Sequence, residues 1–204
     1  MSNQKQIDEI IKILSSGNII IYPTETLYGM GADAHNEQAV EKLFKLKKRD
    51  LSKPVPVLIP HRKAIEKYAR NVSPVAQALM HAFWPGALTI ILESNAFPKG
   101  VASAGKVGFR LSAHPLTATL LYKFDRCITA TSANIANKPT PEDPREFFKI
   151  FPPSSFVLVE EQNPAKPSEP STVIDCTVSP YKIVREGAIS TEEIEEALKE
   201  AGLS

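Results

Sequence analysis

A chain of 204 residues, 43% hydrophobic and 23% charged, can bury a core with no disulfide or metal staple, and a single domain over residues 1–204 is expected. Its formal net charge of +1 removes any global field that would announce a nucleic acid or a membrane surface. No run reaches the ~18 apolar residues of a membrane span and the polar start carries no signal core, so a cytoplasmic chain without membrane contact is expected.

The hydrophobic spacing predicts a helix over 5–15, with Ile7, Ile10, Ile11 and Leu14 on one face and Gly17 as its stop. A buried strand over 18–22 ends at Pro23. A second helix covers 37–48, capped by Asn36, and a short strand follows at 55–59. Helical patterns at 62–69 and 74–83 precede a strand at 87–92. Then come a strand at 106–111, a helix at 116–124 and a strand at 127–130. A helix near 144–149, strands near 155–159, 172–176 and 181–185, and an acidic helix at 191–201 complete an α/β chain of mixed strand order. Proline-marked loops surround Pro139 and span 163–170. The second reads as a mobile segment rather than a linker, because strand pattern resumes at Ser171.

Cys127 and Cys176 share no paired spacing and lie in apolar runs, which favours buried free thiols. The four histidines show no metal-ligand spacing and are read as surface or loop residues. Trp84-Pro85-Gly86 reads as a helix terminator with an anchoring aromatic. Neither a phosphate-binding Gly-x-x-x-x-Gly-Lys loop nor Gly-x-Gly-x-x-Gly is present.

Five segments carry polar groups out of apolar strands. In 23–31, Thr24, Glu25, Tyr28, Gly29 and Gly31 suit either a ligand-approaching loop or an ordinary strand-to-helix turn. Lys47 and Arg49 share a face only in extended structure. If the helix ends near Leu46, both point into one cavity, suited to phosphates; otherwise they are a solvated helix end. Ser132 and Asn134 emerge at a strand end. Arg110 sits in an apolar strand, where it meets either a carboxylate ligand or a structural salt bridge. Ser171 and Arg185 place another hydroxyl and another cation near strand ends.

In order along the chain, these motifs resemble the YrdC-like family. The likeness rests on Pro23-Thr24-Glu25-Thr26 with Tyr28-Gly29 and Gly31, Lys47-x-Arg49 with Lys53-Pro54, and Trp84-Pro85-Gly86 with Leu88-Thr89. It extends through Val107-Gly108-x-Arg110 with His114-Pro115, Ala130-Thr131-Ser132-Ala133-Asn134, Ser171 to Asp175, and Arg185-x-Gly187-Ala188, over about 5–198. The resemblance implies a twisted mixed β-sheet with flanking helices around a large, positively charged cavity. It implies an enzyme that makes L-threonylcarbamoyl-adenylate and pyrophosphate from L-threonine, bicarbonate or CO2 and ATP, for modification of tRNA. Threonine would be held by Thr24, Tyr28, Arg110, Ala130 and Ser171. ATP would be held by Lys47, Arg49, Leu51, Ser132, Asn134, Thr140 and Arg185, with Mg2+ arriving on its phosphates and no organic cofactor. No protein nucleophile is implied. A lid at 160–170 and a separate tRNA threonylcarbamoyl transferase complex that takes the product are further expectations, with weak RNA binding.

The sequence departs from the family pattern at Ala136-Asn137 and at Lys106, which would add charge near the phosphates, and a chain without the extra C-terminal domain of longer relatives is expected. Two other readings compete: a non-catalytic module binding double-stranded RNA, and a carbamoyl-adenylate-forming domain of hydrogenase maturation. The first is disfavoured because no aromatic-basic interleaving appears. The second normally belongs to a much longer chain.

Overall fold

The computed structural model describes residues 3–159 and 169–203. Helix α1 (Asn3–Ser15) buries Ile7, Ile10 and Leu14, and Gly17 reverses the chain at a φ of +71°. Strands β1 (Ile20–Tyr22) and β2 (Gly29–Gly31) lead into α2 (Glu37–Lys47), whose cap Asn36 accepts from the Ala39 N–H at 3.1 Å. Next come β3 (Val57–Leu58), a 3₁₀ turn (Arg62–Ala64), α3 (Ile65–Tyr68) and α4 (Pro74–Phe83). Strands β4 (Leu88–Glu93) and β5 (Lys106–Arg110), α5 (Pro115–Phe124), and β6 (Ile128–Thr129) and β7 (Thr131–Ser132) follow. The chain continues through α6 (Phe147–Ile150), β8 (Val157–Leu158), β9 (Thr172–Asp175) and β10 (Lys182–Arg185) to α7 (Thr191–Glu200), which opens on a Ser190–Glu193 capping box.

These strands form two mixed sheets, ordered β7-β2-β1-β8 and β10-β9-β4-β5-β3-β6. Only Ala130 separates β6 in one sheet from β7 in the other, and its N–H donates to Pro56 O at 2.7 Å. The sheets therefore diverge at this residue and leave a wedge between them. Strand pairing sets Leu58 beside Arg110 and Thr89 beside Val173, with Arg185 also opposite Val173. Because side chains alternate, Leu58, Thr89, Arg110, Ser171 and Arg185 share the face toward the wedge. Val57, Ile90, Phe109 and Ile174 face the other way, into the larger core with Leu79, Trp84, Ile194 and Leu198 of the α4 and α7 side. A smaller core packs α1 and α5 against Ile20, Tyr22, Leu58 and Ile128. Cys127 and Cys176 are free and buried. The Trp84 indole ends α4 and donates to Leu88 O at 2.8 Å.

Four expectations are corrected. The segment after β1 is not a strand-to-helix turn: it folds back antiparallel as β2, pairing Tyr22 with Gly29 and Ile20 with Gly31. Its glycines make room for Tyr22, since a Cβ at Gly29 or Gly31 would lie 2.6 or 2.7 Å from that ring. Helix α2 runs on to Lys47, and the reversal falls at Lys48, with φ 51° and its N–H bonded to Lys45 O and Phe44 O. Lys106 does not face a phosphate site. It pairs with Asp175 at 3.1 Å, four residues along β5 from Arg110. Two histidines leave the surface: His114 is buried at the start of α5, and the His35 ring lies 5.1 Å from Tyr68 and 4.7 Å from Phe97. Short connections between elements force these loop residues beneath their neighbours. Residues 160–168 of the expected lid lie outside the described residues.

Candidate functional site

The wedge encloses a cavity of about 420 Å³. One wall is the six-stranded sheet, with Leu58, Thr89, Arg110, Ser171 and Arg185. The facing wall comes from the 24–29 turn and the Ala130–Asn134 crossover, and Arg49 and Thr140 complete the lining. The turn holds its shape through its own hydroxyls. Thr24 Oγ1 donates to Leu27 O at 2.7 Å and accepts from the Thr26 N–H at 3.1 Å. The Tyr28 ring packs edge-on against Phe147, with centroids 5.5 Å apart.

On the sheet wall Arg110, 8% exposed, is held from behind. Its Nε donates to Gly86 O at 3.1 Å, and its Nη2 to Glu25 Oε1 at 2.9 Å and Thr26 Oγ1 at 3.0 Å. Ser112 Oγ donates to Glu25 Oε2 at 2.6 Å. Burial pushes the Glu25 carboxyl up, but the Arg110 charge and the Ser112 hydroxyl outweigh it and hold Glu25 below the usual carboxylate range. Beside it, Arg185 donates to Ser171 O at 2.7 Å, and the Ser171 and Thr89 hydroxyls lie 2.9 Å apart. Burial and then Arg110 lower the Arg185 pKa. Three arginines, Arg49, Arg110 and Arg185, therefore line one hollow.

Beneath the facing wall lies Lys47, 1% exposed. Its Nζ donates to Ser132 O at 2.5 Å, Asn134 O at 2.7 Å and Asn134 Oδ1 at 2.9 Å. Burial and the charge of Arg49 push this lysine down to about 7. Arg49 is itself oriented by Lys53 O at 2.8 Å and Pro54 O at 3.1 Å, which gives the Lys53-Pro54 pair a local purpose. Asn134 Oδ1 also accepts from Ser132 Oγ at 2.9 Å, and Asn134 Nδ2 donates to Lys138 O. Lysine, serine and asparagine thus form one knot tying the end of α2 to the crossover. A more open groove of about 620 Å³ adjoins the cavity through Lys138, Pro139 and Thr140, but Glu142, Asp143 and Glu146 outnumber Lys138 along it.

All the site residues expected from the sequence line the cavity except two. Lys47 underlies the wall without joining it, and the Leu51 side chain lies in the core against Gly100. Sequence reasoning placed Glu25, Thr26 and Thr89 in motifs without a residue-level role, and it missed Ser112. Period two continued past β5 carries a signal for Ser112, two residues beyond Arg110, whereas the pairing of Glu25 with Arg110 has no signal short of the folded turn. Gly187 has a steric reason: a Cβ there would lie 2.1 Å from Pro170 O, beside Ser171.

Comparison with known proteins agrees with this architecture. The model of the Sua5–YciO–YrdC family, described as "Telomere recombination", matches residues 12–187. The threonylcarbamoyl-AMP synthase of Pyrococcus abyssi is 32% identical over 189 residues, covering 92% of this chain and 55% of that protein. The threonylcarbamoyl-AMP synthase of Bacillus subtilis is 32% identical over 197 residues, covering 95% and 57%. The crystal structure of P. abyssi Sua5 complexed with L-threonine superposes with a TM-score of 0.87 at 29% identity, over 97% of this chain and 58% of that one. The chain thus spans little more than half the length of these relatives.

Proposed function

The chain belongs to the Sua5–YciO–YrdC family, and we propose that it joins L-threonine, bicarbonate or CO2 and ATP into L-threonylcarbamoyl-adenylate, releasing pyrophosphate. One observation carries the proposal: Arg49, Arg110 and Arg185 converge with the hydroxyls of Thr24, Ser132 and Ser171 on a single hollow. The relative solved with L-threonine supports the amino-acid half of the reading.

In this reading Arg110 takes the threonine carboxylate, with Thr24, Tyr28, the Ala130 backbone and Ser171 around the rest of the molecule. Arg49, Ser132 and Asn134 receive the phosphates, Lys47 supports them from beneath, and Thr140 and Arg185 bound the nucleotide. The threonine amine attacks CO2 to form a carbamate and gives up a proton. A carbamate oxygen then attacks the α-phosphorus, and pyrophosphate leaves. Both steps need reactants aligned and negative charge neutralised, which fixed guanidinium and hydroxyl groups supply without a nucleophile. The described residues contain no cluster of three His, Cys, Asp or Glu side chains suited to a metal. Mg2+ would arrive on the ATP phosphates, where it would neutralise charge. The product would pass to a separate tRNA threonylcarbamoyl transferase complex. Among the described residues no helix is long and apolar enough to cross a membrane.

The test is incubation with ATP, bicarbonate and each of several amino acids, with mass spectrometry for an acyl-adenylate and an assay for pyrophosphate. A product with threonine, absent without bicarbonate, is expected. No adenylate with any amino acid, together with salt-sensitive binding to duplex RNA, would favour the binding-module alternative.

A further inference from the structure

Arg110 has five N–H groups, and the hydrogen bonds of the pocket use three of them. Nε is committed to Gly86 O, and both Nη2 hydrogens to Glu25 and Thr26. Among the described residues no acceptor meets Nη1. A guanidinium grips a carboxylate with two parallel bonds through either the Nε/Nη2 edge or the Nη1/Nη2 edge. Each edge needs an Nη2 hydrogen, so the Glu25 and Thr26 contacts occupy both forks. Glu25 does not line the cavity, while Thr24 and Thr26 on either side of it do. It sits behind Arg110, fixed by Ser112 Oγ at 2.6 Å, and Ser112 in turn accepts the His114 N–H at 3.2 Å at the start of α5. The carboxylate is therefore anchored to a helix start.

We propose that Glu25 is a specificity-determining residue: by occupying Nη2 and neutralising Arg110, it makes the pocket read a whole amino acid instead of any carboxylate. A ligand carboxylate meets one nitrogen, Nη1, of an arginine whose charge is already balanced. That contact is weak alone, so binding depends on the additional groups offered by Thr24, Tyr28 and the Ala130 backbone. Without Glu25, Arg110 would be buried without a counter-charge and with one Nη2 hydrogen released, and a bare carboxylate would suffice. The inference rests on the proposed reading of Arg110 as the carboxylate partner, yet its test needs no turnover.

The test titrates acetate, and separately L-threonine, into wild type, Glu25→Gln and Ser112→Ala. It follows the Arg110 Nε–H resonance and measures the melting temperature of each. Glu25→Gln is expected to bind acetate about tenfold more tightly, while threonine affinity changes by less, so the preference for threonine over acetate falls. Ser112→Ala, which loosens Glu25 but keeps its charge, shifts acetate the same way by about twofold, and decides alone should Glu25→Gln fail to fold. A lower melting temperature with acetate affinity unchanged in both variants would make Glu25 merely structural and overturn the proposal. If wild type forms no adenylate with any amino acid, the proposed function fails while the acetate titration still reads Glu25.

Discussion

On the crossover wall Lys47 directs its donors to Ser132 and Asn134, whereas on the sheet wall Arg110 lines the cavity and its Nη1 meets no acceptor among the described residues. Both cations are buried, and the two differ in what their donors are left to do. A lysine beneath a wall holds a loop in shape. An arginine held from behind by Glu25, Thr26 and Gly86 lines the hollow itself. A cation's role follows from the destinations of its N–H groups more than from its charge.

The contrast can be broken hardest at Arg110. Arg110→Ala is expected to lower kcat/KM for threonine about 1000-fold, and Arg110→Lys to recover less than about tenfold of that, because the three N–H groups of an ammonium are too few for Gly86, Glu25, Thr26 and a ligand together and lack the planar spread of a guanidinium. Steady-state kinetics with threonine varied checks it. On the other wall, Lys47→Met should weaken nucleotide binding about 30-fold by releasing the crossover, measured calorimetrically with a non-hydrolysable ATP analogue.

The same lysine gives a pH signature. Its pKa lies at about 7 in the folded chain against an ordinary 10.5, so between those values the unfolded chain holds a proton that the folded one lacks. Stability should rise with pH across that window, and Lys47→Met should flatten the rise in denaturant titrations. Phosphates favour the charged lysine, so nucleotide binding at pH 8 should take up a proton. Calorimetry in buffers of different ionisation enthalpy would detect it, and the uptake should vanish in Lys47→Met.

A smaller effect is expected where the sheet wall is built. Gly187→Ala drives a methyl into Pro170 O and should cost about 2–3 kcal/mol in chemical denaturation, with KM for threonine rising through displaced Ser171. The smallest concerns Lys106, whose partly exposed pair with Asp175 lies away from both walls. Lys106→Thr should change stability by less than about 1 kcal/mol and leave turnover as it was.

Elements with strong periodicity were legible in the chain. Helices α1, α2, α4, α5 and α7 and strands β4, β5, β9 and β10 follow from apolar spacing, caps and proline or glycine stops. The site was legible as an ordered set of polar residues leaving apolar runs. Strands β6 and β7 were not separable, because they form one extended run and only their partners assign them to different sheets. The fold-back of β2 was hidden as well, since the Gly29 and Gly31 pattern that suited a ligand is set by the Tyr22 ring, seven and nine residues earlier.

The sequence by itself determined which side chains exist to make a site and which strands carry them, because alternation and helical spacing are local rules. Tertiary structure alone decided that Lys47 lies under a wall, that Lys106 pairs elsewhere, that Leu51 turns into the core and that Glu25 stands behind Arg110. Each of these depends on which distant acceptor or neighbour occupies the space around a side chain, and spacing along a chain holds no record of that.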